Sequence, residues 1–179
     1  MSEAILNAQT FQKAVRKISE EIAGNNKNFK DLAIVGIHNK GVFIAKRIVV
    51  EIAKISGENE SAIPFGTLDI TLYRDDLDDF GSDMPLIKDT VIPFDISKKN
   101  IILVDDVLYT GRTVRAALDV LMDFGRPRSI QLAVLVDRGY RELPIEANYT
   151  GVKYPSKESI KVECKEAEGE DKVIILNNK

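Results

Sequence analysis

The sequence has little of what stabilises small secreted proteins or spans a membrane. It contains one cysteine, Cys164, which excludes an internal disulfide. No apolar run approaches the length of about 20 residues that a transmembrane helix needs. The first residues lack the charged and apolar regions of a signal peptide. We therefore expect a cytoplasmic protein with a reduced thiol.

Strong charge and histidine clusters are also lacking. The chain has 25 Lys and Arg against 28 Asp and Glu, a net charge of −3, so it has no strong basic field for sequence-blind nucleic-acid binding. His38 is the only histidine, which excludes a His cluster for zinc and favours a structural or solvent-facing role. Neither G-x-x-x-x-G-K-[ST] nor G-x-G-x-x-G occurs, so the P-loop and dinucleotide-binding motifs are absent.

Apolar periodicity divides the 179 residues into alternating strands and helices within one predicted domain, 1–179. Thr10 is the predicted N-cap of a first helix, and the alternation over 65–73 predicts one half-buried strand. Such alternation is typical of a parallel sheet with right-handed crossovers. The other predicted elements are strands at 32–37, from Ile101, at 129–136 and after Tyr149, and helices at 42–55 and around Val114, Ala117, Leu118, Leu121 and Phe124.

The segment from 74 to 94 breaks this pattern. Its acids repel one another, while Gly81, Pro85 and Pro93 interrupt regular structure. Two interpretations stay open, a disordered acidic loop and a mobile lid over a binding site.

Residues 101–113, I-I-L-V-D-D-V-L-Y-T-G-R-T, form the most informative stretch. A buried strand runs into Asp105 and Asp106, whose carboxylates suit sugar hydroxyls or Mg²⁺. Thr110, Gly111 and Thr113 then open a helix, a combination that suits phosphate. A phosphorylated sugar would use both parts of the stretch, with its hydroxyls on the acids and its phosphate at the start of the helix. Polar residues at 38–41 and 137–141 also follow strands, so we expect three strand ends to converge on one crevice.

This stretch resembles the PRPP-binding signature of type I phosphoribosyltransferases. The runs D-I-T-L-Y-R-D-D-L at 69–77, V-D-D-V-L-Y-T-G-R-T-V-R-A at 104–116 and S-I-Q-L-A-V-L-V-D-R-G-Y-R-E-L-P-I at 129–145 are similar to the bacterial PyrR family. The resemblance implies an α/β fold, with a mainly parallel twisted sheet flanked by helices, a small hood and a flexible lid loop. It also implies conversion of uracil and PRPP to UMP and pyrophosphate with Mg²⁺. In many species these proteins also regulate pyrimidine genes by binding leader mRNA.

The resemblance also implies roles for individual residues. Lys40, Asp105 and Asp106 would be catalytic, and Asp105, Asp106 and, less directly, Asp137 would approach Mg²⁺ through PRPP and water. Uracil would meet Val136, Arg138 and Val162, and Tyr73, Arg74 and Asp75 would belong to the lid. The PRPP-binding set would be Asn39, Lys40, Gly41, Asp105, Asp106, Val107, Leu108, Tyr109, Thr110, Gly111, Arg112 and Thr113.

Departures from the family pattern affect the expected choice of base and the expected binding of RNA. Purine-using relatives carry an aspartate where this chain has Tyr109, which favours a pyrimidine over a 6-oxopurine. Glu20, Tyr140 and Glu146 replace basic or histidine side chains of RNA-binding relatives, which weakens phosphate contacts. Three functions stay open: an enzyme, an RNA-binding attenuation regulator with minor catalysis, and a purine enzyme. We expect a homodimer or homotetramer. The candidate RNA contacts are Arg16, Lys17, Arg141, Lys153 and Lys157.

Overall fold

The computed structural model describes residues 4–73 and 88–176. The strands are β1 (Ala4–Leu6), β2 (Leu32–Ile37), β3 (Phe65–Leu68), β4 (Asn100–Leu108), β5 (Ser129–Asp137), β6 (Tyr149–Lys153), β7 (Ser159–Glu163) and β8 (Lys172–Leu176). The helices are α1 (Ala8–Asn25), α2 (Lys40–Ser56), α3 (Arg112–Asp123) and α4 (Lys165–Glu168), with 3₁₀ turns at Phe29–Asp31, Glu60–Ala62 and Thr71–Tyr73.

The main sheet has five parallel strands in the order β3-β2-β4-β5-β6, which confirms the predicted α/β fold. Side chains of its central strands alternate between two cores. Ile102 and Val104 pack with α1 and α2 on one face, whereas Ile101 and Leu103 pack with α3 on the other. Burial on both faces explains why these strands are continuous apolar runs.

The predicted N-cap of α1 is wrong by three residues. Asn7 caps the helix, because its side chain accepts the amide of Thr10 while the Thr10 hydroxyl accepts the amide of Asn7. Thr10 is thus the inner partner of a capping box. In α3, Phe124 follows the last turn of the helix and is 45% exposed, so its predicted place in the apolar face is also wrong.

The strand predicted over 65–73 ends at Leu68 instead. Asp69 terminates it, because its carboxylate accepts the backbone amide of Thr71 at 3.0 Å and the Thr71 hydroxyl at 2.7 Å. Such local bonds compete with a strand ladder. The turn that follows buries both Ile70 and Thr71 and leaves Leu72 62% exposed, so the alternation of a half-buried strand does not continue to residue 73.

A second sheet lies beside the main one. It has the antiparallel order β1-β8-β7, and together with α4 it forms the unit that we call the hood. Val162 and Val173 of the hood belong to the same core as α1 and α2, so the hood is packed against the rest of the domain. None of the helices within the described ranges is long and apolar enough to cross a membrane.

Candidate active site

A pocket of about 560 Å³ opens where the neighbouring parallel strands β2 and β4 end. Polar side chains are expected at this edge of a parallel sheet. The lining joins the loop after β2, the acids of β4 and the first turn of α3. The residues that line the pocket are His38, Asn39, Lys40, Asp69, Ile70, Thr71, Lys88, Asp105, Asp106, Val107 and Thr113.

The two adjacent acids lie inside β4, not in a loop after it, because the strand continues to Leu108. Asp105 Oδ1 accepts the backbone amide of Asp106, and Asp106 Oδ1 accepts that of Val107, both at 2.9 Å. Burial raises the pKa of Asp105 well above its usual value, and the charge of Asp106 adds to the effect. Burial also raises the pKa of Asp106, although Lys40 opposes it. The pair therefore favours a ligand that brings cations or hydroxyl donors.

The turn from Tyr109 to Gly111 leads directly into α3. Gly111 adopts a left-handed conformation with φ of 95°, which glycine tolerates best, and helix α3 begins at the next residue. The carbonyl of Thr110 accepts the amides of Glu142 and Leu143 at 3.0 and 3.1 Å, which fastens the turn to the segment after β5. With Thr113 in the pocket wall, the helix N-terminus borders the pocket and suits an anion.

The loop after β2 reaches the pocket beside the acids. The His38–Asn39 peptide bond is cis. A Cβ on Gly41 would lie 2.5 Å from the carbonyl oxygen of Val104, so only glycine allows α2 to start this close to β4. His38 lies in the pocket wall, and burial followed by the charge of Lys88 lowers its pKa. Lys40 forms an ion pair with Glu168 of the hood.

Sequence reasoning missed four residues of the pocket wall, which are Asp69, Ile70, Thr71 and Lys88. Apolar alternation places Asp69 on a strand face, and Lys88 falls in the segment interpreted as a loop or lid. Asp69 Oδ2 accepts the backbone amide of Lys88 at 2.5 Å, and the Lys88 ammonium binds the Asn39 side chain. The Asp-x-Thr spacing at 69–71, which is typical of an Asx turn, is the signal that could have located this corner.

Of the candidate base-binding residues, Arg138 contacts Tyr109. The Arg138 guanidinium lies 3.9 Å from the centre of the Tyr109 ring and donates to the carbonyl oxygens of Ser156, Lys157 and Glu158. Burial lowers the pKa of Arg138. Val136 and Val162 are buried, with 0% and 3% of their surfaces exposed.

The third strand end lines a separate pocket of about 330 Å³ with Asp137, Gly139 and Arg141. The first two strand ends therefore share one pocket, whereas the third lines a neighbouring pocket and adjoins the turn after β4, where Arg138 and Arg141 contact Tyr109. The Asp137 carboxylate accepts a hydrogen bond from Arg141 at 2.6 Å and another from the Gly139 amide at 2.9 Å. Both bonds reach Oδ1 of the carboxylate that the resemblance offers to Mg²⁺.

The candidate RNA contacts differ in availability. Arg141 bonds internally to the carbonyl oxygens of Tyr109, Gly139 and Ile145. The Lys17 ammonium donates to the carbonyl oxygen of Thr150 at 2.9 Å, and Arg16 pairs with Glu20 at 2.9 Å. Lys157 lies 5.5 Å from the centre of the Tyr140 ring, and Lys153 lines the smaller pocket.

Of the candidate lid residues, only one falls in the described ranges. The Tyr73 hydroxyl donates to Asp123 at 3.1 Å, which joins the turn after β3 to the end of α3. Arg74 and Asp75 lie outside the described residues. On the far side of that segment, Val91 forms an antiparallel bridge with Thr67.

Comparison with known proteins gives a consistent result. The family model of the phosphoribosyl transferase domain matches residues 1–168. The chain is 72% identical over 176 residues to the bifunctional protein PyrR of Endomicrobium trichonymphae, covering 98% of this chain and 99% of the relative. It is 52% identical over 171 residues to the bifunctional protein PyrR of Thermus aquaticus, covering 94% and 92%.

Solved structures share the fold at low identity. A hypoxanthine-guanine phosphoribosyltransferase from Bacillus anthracis superposes with a TM-score of 0.73 at 17% identity, covering 97% of this chain and 98% of that one. A hypoxanthine phosphoribosyltransferase from Trypanosoma cruzi gives 0.74 at 15%, covering 98% and 96%. At these identities the likeness establishes the architecture alone.

Proposed function

The chain belongs to the phosphoribosyl transferase family, in its PyrR branch, and from this we propose that it converts uracil and PRPP to UMP and pyrophosphate. One observation carries the proposal. Two adjacent acids, Thr113 in the first turn of α3 and two lysines share one pocket at the end of β4, and the Gly111 turn leads into that helix. Sugar hydroxyls, a 5′-phosphate and a pyrophosphate each need one of these groups.

Each part of PRPP has a matching group of residues in or beside the pocket. Asp105 and Asp106 would accept hydrogen bonds from the two ribose hydroxyls, and the turn at 109–113 would hold the 5′-phosphate. Asn39, Lys40 and Gly41 would hold the pyrophosphate, with Lys88 beside Asn39 as an added cation. Because these groups are fixed by the fold, they bind the donor in one orientation.

The reaction follows from charge. The bond between ribose C1 and the pyrophosphate oxygen breaks, its electron pair leaves with pyrophosphate, and positive charge develops on the sugar as in glycoside cleavage. Uracil N1 then bonds to C1, and its proton passes to the released pyrophosphate or to solvent. Lys40 would stabilise the departing anion, and the carboxylates of Asp105 and Asp106 would lie near the cationic sugar.

The acids suit Mg²⁺ as part of a shared site. The described residues contain no group of three or more metal-ligating side chains. Mg²⁺ is commonly held by one or two carboxylates and substrate phosphates, which matches two aspartates facing a pyrophosphate. Asp105 and Asp106 would hold it, and the ion would neutralise charge on pyrophosphate. Asp137 is a poorer candidate because Arg141 already binds it.

The test is UMP formation from PRPP and uracil. We expect Lys40→Ala and Asp106→Asn each to lower kcat/KM by at least about 10²-fold, because each removes a charge that faces the reacting bond. Lys54→Ala, which removes an exposed lysine paired with Glu51, is the matched control and should retain activity. Undiminished turnover in both pocket variants would contradict the assignment. Uracil, orotate and guanine in parallel test the pyrimidine preference inferred from Tyr109.

A second function, regulation of pyrimidine genes through leader mRNA, is supported by the bifunctional relatives. Arg16, Lys17, Lys153 and Lys157 would supply the cations. A gel shift with the pyrimidine-operon leader, with and without UMP, tests it against a scrambled RNA of equal length. A UMP-dependent shift supports the regulator, whereas no shift at micromolar protein in low salt leaves the enzyme alone. The cytoplasmic location and the homodimer or homotetramer stay predictions.

A further inference from the structure

The hood supplies a carboxylate to Lys40, a residue of the pocket wall. Glu168, the last residue of α4, forms an ion pair with the ammonium of Lys40 through one carboxylate oxygen. The other oxygen accepts the backbone amide of Cys164 at 2.8 Å. The Glu168 side chain is 25% exposed and the Lys40 side chain 19%, so solvent screens this surface pair only in part.

A separate set of bonds anchors the hood on the same helix. Arg47 lies seven residues, about two turns, after Lys40 on α2, so both side chains lie on one face. The Arg47 guanidinium bonds Asp171 at 2.7 and 2.9 Å and Glu166 Oε1 at 2.9 Å. Because Arg47 already fastens the hood to α2, docking of the hood does not need the Lys40–Glu168 pair.

We propose that Glu168 is the counter-ion that pyrophosphate displaces from Lys40, and that it thereby sets the affinity of the pyrophosphate subsite. The inference rests on the proposed function, which assigns Lys40 to pyrophosphate. The Lys40 ammonium cannot pair closely with a carboxylate and a multiply charged pyrophosphate at the same time, because two anions in contact with one ammonium repel each other. Binding of pyrophosphate therefore exchanges the partner of Lys40. Glu168 keeps its bond to the Cys164 amide.

This exchange weakens binding of the donor and of the product alike. Part of the interaction energy between Lys40 and pyrophosphate is offset by loss of the existing pair. Glu168 lies 128 residues along the chain from Lys40. Through this residue the hood lowers the affinity of the site for the leaving group. Binding of pyrophosphate also breaks one of the ties between α2 and α4.

The test substitutes Glu168→Gln in the full chain. Glutamine keeps an oxygen that can accept the Cys164 amide, so α4 stays capped while the charge is lost. The dissociation constant of magnesium pyrophosphate, measured by titration calorimetry, should fall about 3- to 30-fold. The KM for PRPP should fall with it, whereas kcat should not rise, because the gain is shared by ground state and transition state.

Two further variants make the result specific. Glu170→Gln removes an equal charge from the hood at a site that is 60% exposed and paired with Lys172, and it should leave pyrophosphate affinity unchanged. Glu168→Asp keeps the charge on a shorter side chain and should give a smaller gain than Glu168→Gln. Thermal unfolding checks that each variant is folded.

The outcomes separate this inference from the proposed function. If Glu168→Gln binds pyrophosphate as tightly as the wild type or more weakly, pyrophosphate does not displace Glu168 from Lys40 and the inference is wrong. If affinity rises only as much as in Glu170→Gln, the effect is general electrostatics and the inference fails. If pyrophosphate affinity rises as expected but no variant and no wild-type protein forms UMP, the exchange stands and the transferase assignment fails.

Discussion

Asp105 illustrates at the residue scale how a site trades stability for function. The residue is 5% exposed and lies next to Asp106, and burial raises the pKa of its carboxyl. An unfolded aspartate titrates near a pKa of about 3.9. Between that value and the raised native pKa, unfolding releases a proton that the native carboxyl retains. Stability therefore falls as the pH rises through this window, and the native state carries the full penalty above the raised native pKa.

We expect Asp105→Asn to be more stable than the wild type and less active. The asparagine oxygen can still accept the Asp106 amide while the buried charge is removed, for a gain on the order of 1 kcal/mol. The melting temperature should rise by about 2–4 °C at about pH 7.5 and by less at about pH 4. Asp119→Asn, which removes an acid that is 53% exposed, is the control and should show little change at either pH. Equal gains at both pH values would contradict the burial argument.

At the element scale, the site depends on how closely α2 approaches β4. Gly41 begins this approach, and a Cβ there would lie 2.5 Å from the Val104 oxygen and 3.1 Å from the Cα of Asp105. Both atoms belong to backbone, so neither can move without shifting a strand. The position of Lys40 relative to the acids is therefore set by the absence of one methyl group.

Gly41→Ala should cost about 2 kcal/mol or more of unfolding free energy, because a contact of this kind strains the helix–strand packing. It should also lower kcat/KM by at least about 10-fold, since the loop is displaced from the acids. Gly24→Ala in α1 is the matched control. A Cβ there meets nothing within 4 Å, so this variant should be equally or slightly more stable and fully active. Urea denaturation and steady-state kinetics measure both.

On the scale of the whole molecule, the hood is joined to the main domain by charge as well as by apolar packing. Asp171 is 6% exposed and accepts bonds from Arg47, from the Lys165 amide and from Gln12. Burial alone would raise the pKa of Asp171, but these hydrogen bonds outweigh it and lower the pKa. Removing Arg47 would leave the buried Asp171 charge without its partner, which lowers the free energy of unfolding.

Arg47→Met should therefore destabilise the protein by about 3 kcal/mol. Hydrogen exchange should accelerate more at the amides of β7 and β8 than at those of β4, because the hood loosens first. Arg16→Met breaks the exposed pair with Glu20 and should leave the free energy of unfolding almost unchanged. Uniform acceleration across both sheets would mean that the hood and the domain unfold as one unit.

Local signals in the sequence were sufficient for much of this protein. The apolar run into Asp105 and Asp106, the turn and the helix at 101–123 are contiguous, so their order in the chain predicts their order in space. Doubly buried strands leave long apolar runs, which is why the parallel sheet was predictable. Predictions based on alternation alone were less reliable, as the early end of β3 before Asp69 shows.

Contacts between distant residues were decided by the tertiary structure. Asp69 meets Lys88 across 19 residues, Arg47 meets Asp171 across 124, and Lys40 meets Glu168 across 128. No local pattern encodes such pairs, because each depends on how the hood and the sheet edge pack. The sequence by itself determined the fold class, the family resemblance and the groups that suit PRPP. The packing decided which of those groups share a pocket and which anion holds Lys40.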